Sequence, residues 1–392
     1  MSASVTFGEY PGVSRAHLEV ARLYTRPTLL GPKMCDELIA LVGHMLTDEE
    51  AEIMRHLKRP RTAAGLARAT GMNYEEIAPA LHSLAHEKYV LISAGSGERE
   101  LFNMMPLMPG TFEMVLIRKS PDSVTDWHRR FAELYETLYE TGYAAEYANK
   151  RPLDALHYLP VGESIENHSM ALPSDRLEII AERFDDFAIG VCQCRLTKEI
   201  IGESCGRSLE VCAVMGPIAK IVASQGRMKL VSKREFLDTK AAAEKEGLIT
   251  WVGNSESGKL GNGACSCCGC CCAALRTISE FNAPGFVAPP HFVPYIDRAS
   301  CKLCGKCARA CQMKSLVMTG DESSGTLVHT SERCIGCGLC AVACPDGNVK
   351  MDPVPGYREP AKGWFSFMAR FAPNFFSNAL SVTVKRRRNN HV

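Results

Sequence analysis

Between residues 34 and 103, apolar side chains recur three and four positions apart, and polar residues able to cap a helix precede two of these stretches. Thr47 with Glu50, and Asn73 with Glu76, have the spacing of a capping box. This pattern predicts amphipathic helices that begin just after Thr47 and Asn73.

A further short helix is predicted around residues 62–69, and two strands at 89–92 and 100–102, joined by a glycine-rich turn. Three helices followed by a hairpin indicate a winged-helix-like domain. DNA binding is not favoured, because the helix that would read the major groove starts with Glu75 and Glu76, whose carboxylates would be repelled by phosphate. We expect a structural or docking role instead.

The middle of the chain is also predicted to be mainly helical. Aromatic and apolar residues have helical spacing in 126–148 and again in 174–188. Ser232 and Glu235 predict a capped helix that ends at Gly247, and residues 248–252 predict a strand.

Two copies of the spacing C-x2-C-x2-C-x3-C occur at 301–311 and 334–344, and Pro345 follows the second copy. Three cysteines two residues apart on a tight turn can direct their thiolates to three corners of one iron–sulfur cube. The fourth lies too far along the following helix to close the same cube. Zinc is not favoured, because zinc sites use separated C-x2-C pairs and need only four ligands.

This double motif resembles the bacterial two-cluster ferredoxin module over about 60 residues. The resemblance implies two [4Fe-4S] clusters, each held by cysteines from both copies. One cluster would take Cys301, Cys304, Cys307 and Cys344. The other would take Cys334, Cys337, Cys340 and Cys311. The first copy differs from the module in having Gln312 where proline is usual, which removes no ligand.

A second cysteine-rich region spans residues 192–272 and supplies ten thiols. The candidates for a third cluster are Cys192, Cys194, Cys205 and Cys212, with zinc as the alternative. The candidates for a fourth cluster are Cys265, Cys268 and Cys271. Neighbouring side chains diverge along the chain, so the six cysteines of 265–272 cannot all face one way. The region could hold one cluster, two clusters or a larger unusual one.

The C-x-C-R sequence at Cys192 and the C-x-C-C-x-C-C-C run at Cys265 precede the double motif. In this order they resemble uncharacterised cysteine-rich iron–sulfur proteins of anaerobic bacteria. The resemblance implies no particular reaction.

The predicted fold class is α+β and multidomain: a winged-helix-like N-terminal domain, a helical middle, a cysteine-rich metal domain and a ferredoxin-like domain with two [4Fe-4S] clusters. The predicted boundaries are an N-terminal arm at 1–33, the winged-helix-like domain at 34–103, a helical linker region at 104–190, the cysteine-rich iron–sulfur domain at 191–290, the ferredoxin domain at 291–352, and a linker with an aromatic and basic tail at 353–392.

Composition limits the possible partners and compartments. The net charge of +1 over 392 residues gives no general argument for nucleic acid. Of the 19 cysteines, all but Cys35 lie between Cys192 and Cys344, a density that in a reducing compartment indicates metal. No apolar run of about 18 residues occurs, so we expect a cytoplasmic protein. The aromatic and basic tail could lie on a membrane surface, but packing against protein is favoured.

These observations favour an iron–sulfur electron-transfer protein, acting as a carrier or as the electron-transfer subunit of an anaerobic oxidoreductase system rather than as a stand-alone enzyme. Lys302, Lys306 and Arg309, with no acid expected beside them, predict an acidic redox partner that docks near the first cluster. One alternative is a redox-sensing transcriptional regulator that uses the winged helix. Another is an oxidoreductase with a substrate-binding cluster in the cysteine-rich domain.

Overall fold

The structure, a computed structural model, describes residues 10, 12–148, 151–256, 258, 261–320 and 325–389. The chain divides into two compact units. The first unit comprises Met1–Ile117, Val124–Tyr147 and Asn378–Val392; the second comprises Arg118–Ser123 and Ala148–Ser377. The two are described separately.

The first unit is mainly helical and contains one β-hairpin in its described part. Its elements are α1 (Arg15–Tyr24), α2 (Asp36–Met45), α3 (Asp48–Met54), α4 (Ala63–Thr70), α5 (Tyr74–His86), β1 (Leu91–Ala94), β2 (Leu101–Met104), α6 (Phe112–Leu116) and α7 (Asp126–Glu140). Strands β1 and β2 are antiparallel. The apolar faces of the helices form its core, in which Leu38, Leu66 and Leu81 are fully buried.

The predicted helix starts and the hairpin of this unit are present. Thr47 and Glu50 form the capping box: the Glu50 N–H donates to Thr47 Oγ1 at 3.2 Å, and the Thr47 N–H donates to Glu50 Oε2 at 2.8 Å. The Asn73 side chain instead accepts from the Glu75 N–H at 3.2 Å, without a reciprocal bond from Glu76. The winged-helix assignment stays a prediction, because three helices and a hairpin do not define that fold by themselves.

The prediction of one helix over 126–148 was wrong at its end. Helix α7 stops at Glu140, and a separate 3₁₀ turn covers Tyr143–Tyr147. Gly142 between them has a φ of +75°, a left-handed conformation that ends an α-helix.

Arg386 fastens the C-terminal segment of the first unit. Its guanidinium pairs with the Glu146 carboxylate at 3.1 Å and donates to the carbonyls of Gly31 at 2.9 Å, Pro32 at 3.2 Å and Thr25 at 3.3 Å. The Arg386 side chain therefore binds backbone carbonyls of the loop at 25–32 and also neutralises the Glu146 carboxylate in the 3₁₀ turn.

The second unit holds a mixed set of short helices and strands. They are β3 (Leu156–Tyr158), α8 (Gly162–Ile165), α9 (Leu177–Ala181), β4 (Phe187–Gly190), α10 (Gln193–Ile200), β5 (Cys212–Met215), α11 (Pro217–Ser224), β6 (Lys229–Val231), α12 (Lys233–Lys245), β7 (Ile249–Gly253), β8 (Asn262–Cys267), α13 (Ala273–Ser279), β9 (Phe292–Ile296), α14 (Lys306–Ala310), β10 (Leu316–Thr319), β11 (Thr326–His329), α15 (Leu339–Val342) and β12 (Val349–Pro353).

One sheet of this unit has the strand order β3-β7-β8-β5-β4-β6, with antiparallel neighbours. In its register Cys212 on β5 lies opposite Cys265 on β8. Cys267 lies two residues further along β8, so its side chain shares a face with that of Cys265. The sheet thus assembles thiols that are 53 or more positions apart in the chain.

The predicted helix over 174–188 was wrong. Only Leu177–Ala181 is α-helical, and Phe187 begins strand β4, which pairs with both β5 and β6. Phe187 is buried against Phe236 of α12, with ring centroids 4.9 Å apart. A short apolar run satisfies helix and strand patterns equally well, and here pairing within the sheet decided the outcome.

A proline inside a helix usually kinks or breaks it, but Pro373 does not end the last helix of the chain. Helix α16 runs from Trp364 to Asn389 through Pro373. A proline removes one backbone hydrogen bond. On this helix Phe367, Phe371 and Phe375 stack in succession, with ring centroids 5.5 and 5.6 Å apart, and these contacts continue across the proline. Within the described residues, no helix is long and apolar enough to cross a membrane.

The ferredoxin-like part is built from two small antiparallel pairs, β9 with β12 and β10 with β11. Helices α14 and α15 each follow a glycine in the left-handed conformation, Gly305 and Gly338. These turns carry the cysteines of the two motif copies.

Replacing Arg386 by Met should destabilise the first unit by about 2–3 kcal/mol, because Glu146 and three carbonyls lose a charged partner. Hydrogen exchange measured by mass spectrometry should show faster exchange in 25–32 and 143–147. Arg387→Met is the matched control, since Arg387 is exposed. Equal exchange in both variants would contradict this role of Arg386.

Candidate metal centres

The first predicted cysteine quartet lines one cavity. Cys301, Cys304 and Cys307 from the first motif copy meet Cys344 from the second around one space. Cys304 is exposed, whereas Cys307 is buried. Four thiol ligands around one space are the donor set of a [4Fe-4S] cluster, so these residues fit that group.

The second predicted quartet lines another cavity. Its thiols are those of Cys311, Cys334, Cys337 and Cys340. The Leu316 N–H donates to Cys311 Sγ at 3.3 Å, the type of bond that tunes the potential of an iron–sulfur cluster. This quartet contains no fully exposed member, in contrast to Cys304 of the first.

One apolar core contains thiols from both quartets. Cys307 and Cys340 pack in it with Leu316, Leu327 and Val349. Burial raises the pKa of the Cys337 thiol to about 12, so without a bound cation this thiol stays protonated at neutral pH. A coordinated metal removes the proton, because the bound ion supplies the positive charge that buried thiolates require.

The surface near the first quartet is apolar at its centre and basic at its edge. Leu303 and Met318 are 45% and 37% exposed beside Cys304, and both line the first cavity. The expectation that no acid lies beside Lys302 was wrong: its ammonium pairs with the Asp346 carboxylate at 2.9 Å. Asp346 is two residues after Cys344. Because Cys344 of the second motif copy lies in the first quartet, the Asp346 carboxylate also lies beside that quartet.

The remaining cations of this edge are arranged differently. Arg309 donates to the Cys304 carbonyl at 3.2 Å, and Lys306 is exposed at the start of α14. Lys306 is therefore better placed than Lys302 to present its charge to an approaching molecule.

In the cysteine-rich region, four sulfurs come very close together. Cys205, Cys268, Cys270 and Cys271 have Sγ atoms that all lie within 4.8 Å of one another. The Cys270 and Cys271 thiols, together with the charge of Arg195, hold the pKa of Cys268 well below its usual range. Arg195 Nη1 lies 3.8 Å from Cys268 Sγ.

The other six thiols of the region form a second, more deeply buried group: Cys192, Cys194, Cys212, Cys265, Cys267 and Cys272. Cys212 and Cys265 are 3.2 Å apart across the sheet. The other four thiols influence one another's pKa in the order Cys192, Cys194, Cys272 and Cys267, which places them as neighbours. We call this group the six-thiol chamber.

Two buried cations border the six-thiol chamber. Lys240 of α12 is 1% exposed and donates to the Val211 carbonyl at 2.9 Å, to the Ser266 hydroxyl at 3.1 Å and to the Ala264 carbonyl. Burial lowers the pKa of Lys240, and the neighbouring thiols, Cys265 and Cys212 first, oppose that shift. The Cys194 thiol, with help from the Arg195 charge, lowers the pKa of Cys192 to about 7.

The ten thiols are thus brought together in sets that differ from those predicted above. The close four-sulfur group takes Cys205 from the first predicted set, and Cys268 and Cys271 from the second. The four-member and three-member sets were assigned from proximity in sequence, which does not report pairing across the sheet. Lys240 was not identified from sequence, since a lone lysine on an amphipathic helix usually faces solvent.

Gln312, the residue at which the first motif departs from the ferredoxin pattern, joins the two cysteine regions. Its Oε1 accepts from the Gly269 N–H at 2.7 Å, and its amide also donates to the Gly247 carbonyl. Gly269 packs so closely that an added Cβ would lie 2.5 Å from the Gln312 carbonyl oxygen. The turn between Cys268 and Cys270 therefore rests directly on the residue that follows Cys311.

Comparison with known proteins bears on the ferredoxin-like part. A family model described as "4Fe-4S dicluster domain" matches residues 300–354. The ketoisovalerate oxidoreductase subunit VorC of Methanothermobacter marburgensis is 36% identical over 58 residues, 14% of this chain and 73% of that protein. An uncharacterised ferredoxin of Methanocaldococcus jannaschii is 35% identical over 60 residues, 15% of this chain and 92% of that protein. No solved structure matches the chain.

Gly269→Ala should loosen the contact between the cysteine-rich turn and the ferredoxin-like part. The new methyl group would lie 2.5 Å from the Gln312 oxygen and 2.7 Å from the Met313 methyl carbon, an overpacking that costs about 1–3 kcal/mol. Hydrogen exchange should become faster in residues 311–313. Gly363→Ala is the control, because no atom lies within 4 Å of its added Cβ. Unchanged exchange in Gly269→Ala would show that this contact is not tight.

Proposed function

We propose that this protein, which belongs through residues 300–354 to the 4Fe-4S dicluster domain family, relays single electrons at low potential as a carrier or subunit of an oxidoreductase system. The observation that carries the proposal is the pair of cavities, each lined by four cysteines drawn from both motif copies. That arrangement is what crossed ligation of two clusters requires.

The chain's own residues supply binding, insulation and charge. Each [4Fe-4S] cluster, when bound by its quartet, takes up and gives back one electron. The thiolates of the quartets would hold the clusters, and thiols of both quartets pack in the core around Leu316, Leu327 and Val349. The N–H of Leu316 directed at Cys311 favours the more reduced, more negative state of the second site.

The two quartets differ in exposure, which supports an order of transfer. Cys304 of the first quartet is at the surface among Leu303 and Met318, where a partner can approach. The second quartet and the six-thiol chamber share an apolar core. Cys311 and Cys337 of the quartet pack against the buried side chains that include Cys267 and Cys272 of the chamber. We infer that electrons enter or leave at the first quartet and reach the cysteine-rich region through the second.

We also propose that the six-thiol chamber binds an additional iron–sulfur cluster. Burying the Lys240 ammonium is costly without nearby negative charge. Cys212 and Cys265 are the first thiols that favour its charged form, and metal-bound thiolates would supply that charge permanently. Arg195, which is 2% exposed, would compensate the same group from the side of α10.

The similarity to VorC supports the subunit form of the proposal, since VorC is a subunit of an oxidoreductase. The regulator hypothesis has less support. Glu75 and Glu76 are exposed in the first turn of α5, where DNA phosphate would have to approach in a winged-helix complex.

Cys340→Ser tests the assignment of the second quartet. Loss of one ligand from this buried quartet should remove about four irons and about four sulfides per chain, measured on protein purified without oxygen. Cys35→Ser, outside both cysteine regions, should retain the full content. Unchanged iron in Cys340→Ser, or equal loss in both variants, would overturn the assignment.

Lys306→Glu tests the basic edge of the first quartet. Because Lys306 is exposed at the start of α14, its reversal should slow reduction by the anionic reductant dithionite about threefold at low salt. The same variant should be reduced faster by the methyl viologen radical cation. Stopped-flow absorbance measures both rates.

Lys245→Glu, which makes the same charge change on α12, is the control for net charge. It should alter both rates less than Lys306→Glu. Equal effects of the two variants would mean that the position of Lys306 has no importance.

A further inference from the structure

The sulfurs of Cys205, Cys268, Cys270 and Cys271 have the spacing of ligands to a single ion. All four lie within 4.8 Å of one another. In a tetrahedral thiolate site with metal–sulfur distances of about 2.3 Å, the ligand sulfurs are about 3.8 Å apart. In a cube each cysteine binds a different iron, which spreads the sulfurs further. Among the residues that the structure describes, no other group of ligands meets this close spacing.

We propose that these four cysteines bind one thiophilic divalent ion, zinc or iron, as a mononuclear site separate from the iron–sulfur clusters. Soft thiolate ligands in a tetrahedral set select these metals. The sites assigned under the proposed function use fourteen other cysteines, in two quartets and the six-thiol chamber. The mononuclear site shares no ligand with them and rests on its own geometry.

Three of the ligands come from one tight turn. Strand β8 ends at Cys267, α13 begins at Ala273, and the turn between them is closed by the Cys272 N–H donating to the Cys268 carbonyl at 3.1 Å. Because the chain turns here, the sulfurs of Cys268, Cys270 and Cys271 lie close to one another. On an extended strand neighbouring side chains would point to opposite faces. Gly269 within the turn is fixed by Gln312.

The fourth ligand lies on a loop that is anchored independently. Cys205 is in the segment between α10 and β5, and Ser208 in the same segment donates its N–H to the Glu246 carboxylate at 2.9 Å. The neighbouring Arg207 donates to the Glu246 carbonyl at 3.2 Å. The end of α12 thus positions the loop that carries Cys205 before any metal binds, which lowers the cost of assembling the site.

The surrounding charges match a thiolate site. Four thiolates and one divalent cation leave two negative charges. Two guanidinium groups face them: Arg195 Nη1 lies 3.8 Å from Cys268 Sγ, and Arg207 Nη1 lies 3.8 Å from Cys270 Sγ. Guanidinium groups that donate to the ligand sulfurs stabilise the thiolate form and help to hold the ligands in place.

The test is the ratio of metal to acid-labile sulfide in the full chain purified without oxygen. Cubane clusters contribute iron and sulfide equally, so the mononuclear ion should appear as about one iron or zinc per chain in excess of sulfide. Cys205→Ser and Cys270→Ser should each lose that ion and keep their sulfide. Excess zinc would make the site structural, and excess iron would add a one-electron centre; either supports the proposal.

Cys35→Ser is the control and should keep the extra ion. Cys270 is exposed, so its replacement should disturb the fold little. Electron paramagnetic resonance of dithionite-reduced Cys270→Ser should therefore show the same cluster signal as the unmodified protein, and this unchanged signal shows that the chain still folds. Loss of iron together with sulfide in Cys205→Ser and Cys270→Ser would place a cluster here instead and overturn the proposal, as would no loss of metal. Low sulfide in all proteins, control included, would refute the proposed function and not this site.

Discussion

The charge of buried thiolates is the constraint on which the second unit depends. A thiolate in an apolar core needs a cation, and a buried ammonium needs an anion. Lys240 and Arg195 are almost fully buried beside the cysteine-rich region, where they donate to neutral acceptors and also lie near the thiols. The metal-bound cysteines proposed above would meet that need, and the cations and thiolates would then stabilise one another's burial.

The same constraint explains how the ferredoxin-like part closes on itself. Cys344 belongs to the second motif copy in sequence but lines the first cavity, and Asp346 then reaches Lys302. Strands β9 and β12 pair, and thiols from both motif copies pack in one core. Clusters bound by the two quartets would add cross-links to this small module.

The quartets could be predicted from the sequence because their spacing is local: three ligands lie within seven residues, and the motif is repeated. The sets in the cysteine-rich region could not, since Cys212 meets Cys265 through strand pairing and Cys205 meets Cys270 through two separate loops. Helix boundaries failed for related reasons. Phe187 was taken into a sheet, and α16 continues through Pro373 with stacked aromatic rings on either side.

Gln312 shows how a departure from a family pattern can carry structural information. A proline at this position would have no side-chain amide, so it could neither accept from the Gly269 N–H nor donate to the Gly247 carbonyl. Glutamine makes both bonds and sits directly after Cys311, a predicted ligand of the second cluster. Gln312 therefore connects the ferredoxin-like part to the cysteine-rich turn, at the point where electrons would have to pass between them. The residue that departs from the family pattern makes this connection.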